Sequence, residues 1–213
     1  MSAHHLSRGL AVVVFLAFAL AYFFSALVRA ITATLSPTLT QELGLQARDL
    51  GLLAGGYFFG FSLTQLPLGR WLDRYGPRSV ILAFLTVAVL GCVAFAQAES
   101  FGGLLLARVL CGVGVSACLM APLTGYRRWF NASTQLRTNS WMLMTGSLGM
   151  VAATLPVQWL LPIWGWRAIF VAMAVCIAFS MLAIRLLVPT WHRSTAASHG
   201  ALADDGGYGA IWR

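Results

Sequence analysis

Two arginines in this chain stand where a charge is costly. Arg29 directly follows the uncharged run Leu10–Val28, and Arg108 lies inside the apolar stretch that begins near Ser100. A guanidinium in such surroundings is a functional candidate by default. Its planar fork of donors suits bidentate binding of a carboxylate. Between the two arginines, Tyr57, Phe61 and Gln65 recur at i, i+4 and i+8 and so share one helix face. That face can line a binding cavity or serve packing. The other residue types that do chemistry are poorly placed. Cys92, Cys111, Cys118 and Cys176 show no CxxC or Cys/His spacing, so neither a metal site nor a disulfide frame is indicated, and no cofactor is implied. The "GVSA" stretch at 114–117 invites comparison with an intramembrane serine protease. His4, His5, His192 and His199 all lie outside the apolar runs, and a serine without a base is a poor nucleophile. An enzyme is therefore not indicated.

The elements that must position these residues are membrane helices. The chain is 59% hydrophobic and 9% charged, against roughly 45–50% and 25% for a soluble domain. Six uncharged runs, Leu10–Val28, Leu50–Gly69, Ser79–Ala98, Val109–Tyr126, Thr138–Trp166 and Ala168–Ile184, approach the ~20 residues that one helical crossing needs. The first is too long for a signal-peptide core and is read as a retained helix.

The net charge of +8 comes from 14 basic residues, every one an arginine. If the six runs alternate in direction, Arg8, Arg70, Arg74, Arg78, Arg127, Arg128, Arg137, Arg185, Arg193 and Arg213 fall on one side. Only Arg48 and Arg167 fall on the other, with Glu42, Asp49 and Glu99. This is the positive-inside bias of a multi-pass protein with both termini cytoplasmic, and it removes the case for nucleic-acid binding. On the resulting outward helix, side chains lean back toward the N-terminus, so Arg29 points into the membrane. Arg108, about 12 Å beyond Ser100 at 1.5 Å per residue, sits on an inward helix and can reach back to the outer surface.

The connections are short: 44–49, 70–78, 97–102, 127–138 and 162–167, with the first helix ending near Ser36-Pro37. Residues 1–188 form the bundle. From Pro189 the composition turns polar, and 189–213 reads as a cytoplasmic tail. "LPLGRWLDRYGPR" (66–78) and "LPVQWLLPIWGWR" (155–167) share Leu, Pro, Gly and Arg at matching offsets. That suits three spans repeated in opposite orientation.

The segment Gly69-x-x-x-Asp73-Arg74-x-Gly76-x-Arg78 resembles the signature loop between helices two and three of the major facilitator superfamily. "RVLCGVG", with Arg108, Gly112 and Gly114, resembles its helix-four motif. "RRWF" with Arg137 resembles the loop that follows, and "GWRAIF" (165–170) the entry to helix six. The resemblance covers residues 20–175. It implies an all-α membrane protein whose six transmembrane helices, two inverted three-helix repeats, form one half of a twelve-span carrier in a cell inner membrane. It also implies that Gly69, Asp73, Arg74, Gly76 and Arg78 form a charge-and-dipole latch to the other half. An acid at a helix C-terminus is disfavoured by the macrodipole, which fits Asp73 having a partner elsewhere. The chain ends in what resembles the inter-half loop, so it is expected to be a fragment, or to pair with a second chain.

"LVRAITATLSPTLTQELGL" followed by "LTQLPLGRWLDRYGPR" is similar to the organic anion:cation symporters, where an Asp-Arg pair on helix one meets the substrate's carboxylate. Arg29 matches that Arg, but Val28 stands in place of the Asp. Val115 stands where a proton-carrying acid often follows the helix-four motif, and no Asp or Glu lies in any of the six runs. The antiporter-type motif of helix five and the nitrate carriers' signature are missing. The reading is therefore half of a secondary transporter for a small organic anion, with Arg29, Tyr57, Phe61 and Gln65 as candidate binding residues. Its competitor is a non-transporting membrane fragment.

Overall fold

The computed structural model describes residues 7–189, and these are all-α. Six helical elements follow in order: α1 Arg8–Leu43, α2 Ala47–Gln97, α3 Phe101–Val115, α4 Ala117–Trp129, α5 Ala132–Ala152 and α6 Leu155–Leu187. Four stretches are long and apolar enough to cross a membrane: Gly9–Leu43, Ala47–Gln97, Phe101–Arg127 and Leu155–Leu187. The expected tail falls almost wholly outside the described residues, as do His4, His5, His192, His199, Arg193 and Arg213.

α2 and α6 each contain one non-helical residue. Gly76 has φ 78° and ψ 162°, and Gly165 has φ 72° and ψ 161°. That region of backbone space is essentially reserved for glycine. Both lie ten residues into the two 13-residue segments of similar sequence, counted from Leu66 and Leu155. The similarity of those segments is thus a similarity of backbone. It also corrects two expectations. Residues 70–78 and 162–167 are not loops; helix continues on both sides of a single glycine. Pro77 supplies a preset φ at the start of the second segment. The segment 127–138 likewise shrinks to a break at Phe130-Asn131, since Asn131 accepts the Thr134 N–H at 2.9 Å and starts α5.

The first helix does not end at Ser36-Pro37 but runs on to Leu43 and is closed by left-handed Gly44. Proline removes one backbone donor and so strands the carbonyl four residues earlier. Ser36 Oγ donates to that carbonyl, Ala33 O, at 2.9 Å, and the helix survives.

Glycines set the spacing. A Cβ on Gly60 would lie 2.3 Å from the Val109 carbonyl oxygen, and one on Gly112 2.0 Å from that of Tyr57. On the far side of α3, Gly114 abuts the Ala88 backbone and Gly91 that of Cys111. α3 is thus wedged between the two segments of α2. Gly146 and Gly149 let α5 close on Tyr22 and Phe23 of α1. Gly56 meets the side chains of Leu105 and Val109, while Gly51 and Gly55 face open space.

Phe95 stacks on Phe170 at 4.0 Å and meets Trp166 edge-on, joining the end of α2 to α6. Two arginines fasten the ends of that pair. Arg78 donates to the Arg185 carbonyl near the end of α6. Arg167 donates to the Ala98 carbonyl at the end of α2, at 2.9 Å. Arg167 also lies 3.7 Å from Glu42, which accepts from Trp166 Nε1 at 2.6 Å. One end of the bundle therefore gathers Arg78 and Arg185, and the other gathers Glu42, Ala98 and Arg167.

Candidate functional site

The site is built where α3 meets α2. Gly112 packs on the backbone of Tyr57, and Arg108 stands one turn earlier on the same face of α3. Its guanidinium is therefore laid over the Tyr57 ring, 4.7 Å from the centroid. Nη1 donates to the Val28 carbonyl of α1 at 2.9 Å. Arg108 is 1% exposed. The expected reach to the outer surface is overturned: helix packing at Gly60 and Gly112 encloses the side chain before it can extend. A cation–π contact in dry surroundings contributes about 2 kcal/mol. A hydrogen bond to a charged group contributes roughly 1.5–3 kcal/mol. Together these offset part of the desolvation.

Tyr57 stacks on Phe61, with centroids 6.5 Å apart and planes 18° from parallel. The i, i+4 spacing on α2 produces this register. Beyond Phe61 lies Arg29, whose Cζ is 5.7 Å from that ring's centroid. The sequence Arg108–Tyr57–Phe61–Arg29 is thus a cation, two parallel rings and a second cation, drawn from three helices. Arg29 is half-buried, as is Gln65, one turn further along α2.

Around this stack several buried polar atoms have no hydrogen-bond partner. They are Ser25 Oγ, Arg29 Nε and Thr32 Oγ1 on α1, Tyr57 Oη on α2 and Arg108 Nε on α3. Ser25, Arg29 and Thr32 are spaced i, i+4 and i+7, one face of α1. Buried polar groups are nearly always satisfied, and a group of exceptions calls for an explanation. The described acids are Glu42, Asp49, Asp73 and Glu99, at or beside helix ends and the Gly76 break. Neither arginine of the stack has a carboxylate partner among the described residues. The arrangement therefore presents positive charge and unused hydrogen-bonding capacity to one place. Among the described residues no group of three or more metal-ligating side chains occurs.

The signature segment lies apart from this stack, at the Gly76 break. Asp73 and Arg74 are exposed, Arg74 leans on Tyr75 at 5.3 Å, and neither makes an ion pair among the described residues. Gly69 faces open space. Arg78 is engaged with α6. Sequence reasoning treats Arg108 chiefly as an interface residue and misses the Glu42–Trp166–Arg167 cluster. The i+4 spacing of Arg108 and Gly112 is the available signal for the first. The second has none, because its members lie 124 positions apart.

A family model described as Major Facilitator Superfamily matches residues 18–207. The chain is 27% identical over 145 residues to a hexuronate transporter of Escherichia coli (strain K12), covering 68% of this chain and 34% of that protein. It is 26% identical over 144 residues to a galacturonate transporter of Dickeya chrysanthemi, covering 68% and 42%. It is 25% identical over 161 residues to a 4-hydroxybenzoate transporter of Acinetobacter baylyi, covering 75% and 35%. The chain spans well under half the length of these curated relatives.

Proposed function

Because this chain belongs to the major facilitator superfamily, we propose that it is half of a secondary transporter for an organic anion. In this reading α1 makes one crossing, Gly76 separates two in α2, α3 with α4 makes one, α5 with α6 as far as Gly165 makes one, and the rest of α6 makes the last. Six spans then arise as two inverted groups of three, with the Arg78–Arg185 end cytoplasmic. Substrate sits between this half and a second one and is exposed to each side in turn as the halves rock.

One observation carries the anion assignment. Two arginines, Ser25 and Thr32 of α1, and Tyr57 converge with unused hydrogen-bonding atoms and no nearby acid among the described residues. A carboxylate supplies both the charge and the acceptors. Arg108, held by Val28 and Tyr57, contributes potential; Arg29 is the group free to grip. The relatives' named cargoes, a hexuronate, a galacturonate and a 4-hydroxybenzoate, are all carboxylates, which supports the same class. With no acid inside the apolar runs, this half binds the anion and does not itself carry the coupling proton. Asp73 and Arg74, uncommitted at the Gly76 break, are the members of the signature segment that reach for the second half. Arg78 holds its own.

The test is uptake by cells producing the transporter that contains this half. A panel of labelled organic carboxylates, galacturonate and 4-hydroxybenzoate among them, is compared with neutral analogues. Accumulation of one or more carboxylates, with their neutral analogues excluded, is expected. Accumulation of the neutral compounds alone would overturn the assignment.

A further inference from the structure

A cavity of about 820 Å³ opens at the Arg78–Arg185 end of the bundle, between the start of α1, the end of α4 and the start of α5. Its walls include Phe15, Trp129, Phe130 and Trp141, with Arg137 and Thr134 among its polar residues. That volume lies in the range of small-molecule sites, whose apolar walls and few polar groups it also shares. Several polar neighbours are already occupied. Asn131 accepts from Thr134 N at 2.9 Å, and Thr138 donates to the Thr134 carbonyl at 2.7 Å. Arg137 is exposed and makes no ion pair or hydrogen bond among the described residues.

The position of this cavity relative to Arg29 follows from helix geometry. Ala11, which lines it, precedes Arg29 by 18 residues on an uninterrupted helix. Eighteen residues at 3.6 per turn make five whole turns, so Ala11 lies directly below Arg29 on the same face of α1, about 27 Å along the axis. The cavity and Arg29 of the stack therefore lie along one side of α1.

We propose that this aromatic-walled cavity is a second anion station, where Arg137 holds an organic carboxylate on its way to or from Arg29. The apolar part of the ligand packs on the Trp and Phe walls, and the carboxylate meets the guanidinium at the rim. The proposal rests on the reading of Arg29 as an anion site, but Arg137 can be tested apart from it.

The chain is prepared with fluorotryptophan in phosphatidylcholine nanodiscs, and the resonances of Trp129 and Trp141 are assigned by Trp129→Phe and Trp141→Phe. The probe is the nitroxide acid carboxy-PROXYL, compared with its neutral amide, carbamoyl-PROXYL. Saturable broadening of both resonances by the acid but not the amide is expected. It should persist in Arg29→Gln and weaken about tenfold in Arg137→Gln, the scale of one charge-assisted contact. Broadening equal for acid and amide, or unchanged in Arg137→Gln, would overturn the station and leave the Arg29 reading untouched. Loss in Arg29→Gln alone would mean one deep site and no second station. Repeating the titration with phosphatidylglycerol in the disc separates a free carboxylate from a lipid headgroup. Abolition of the signal by the anionic lipid would make the headgroup the occupant and refute the proposal. The spectra of unliganded variants, with unchanged dispersion, report that each has folded.

Discussion

Arg78 and Arg167 perform the same act at opposite ends of one helix pair. Each stands two residues past a glycine of positive φ, and each donates to a carbonyl at the end of the other's helical segment: Arg78 to Arg185, Arg167 to Ala98. A cation at a helix C-terminus meets both the dipole and unsatisfied carbonyls. The pairing clasps the second segment of α2 and α6 into one body at both ends.

Removing either clasp should loosen that body. Arg78→Ala and Arg167→Ala are each expected to cost roughly 1–2 kcal/mol, the scale of a partly exposed charged hydrogen bond. Arg167→Ala should cost more, because it also strips Glu42 and the face of Trp166, 4.1 Å away, of their partner. The two ends share no contacts, so the effects should add. Thermal unfolding of the single and double variants in detergent measures this.

The glycines of α2 and α3 divide by what surrounds them. Gly112→Ala drives a Cβ into the Tyr57 backbone and should destabilise by about 1–3 kcal/mol, the usual range for overpacking. Gly55→Ala meets nothing and should be neutral or stabilising by up to about 1 kcal/mol through helix propensity. Equal melting temperatures for the two variants would contradict the wedge of α3 against α2.

The alternation of spans can be read chemically. Glu99 and Ser133 are both exposed, at opposite ends of the bundle. A cysteine at position 99 should react with an impermeant thiol reagent added outside intact cells, and one at 133 only after permeabilisation. Cys92, Cys111 and Cys118 are buried and give little background, and the half-buried Cys176 is first replaced by serine.

Much of this architecture is legible in the amino-acid sequence alone. The uncharged runs, the arginine asymmetry and the repeated segment follow from composition and order, because a membrane imposes them locally. The Tyr57–Phe61 face follows from spacing within one helix. What escapes depends on how helices are set against each other. Pro37 reads as a terminus, but Ser36 repairs the exposed carbonyl. Arg108 reads as able to reach water, but Gly60 and Gly112 draw α2 over it. Val28, which reads as the loss of an acid, offers its backbone carbonyl to that same arginine.

Arg108 carries charge without exposure, so its role should separate from stability. Arg108→Gln removes a buried cation whose desolvation is only partly offset and should leave the fold as stable or nearly so, while weakening anion binding through the lost potential. Lower stability with unchanged anion affinity would make Arg108 a packing residue only.

Arg29 decides the central claim. The measurement is uptake of an organic carboxylate by the transporter containing this half, at matched membrane expression, for Arg29→Lys and Arg29→Gln. Lysine keeps the charge but loses the planar fork, so Arg29→Lys should transport at least about tenfold less well, the scale of one lost charge-assisted hydrogen bond, and Arg29→Gln should transport almost nothing. If Arg29 merely anchored the helix at the interface, lysine would substitute fully, since it snorkels as readily as arginine. Wild-type uptake by Arg29→Lys would contradict the account.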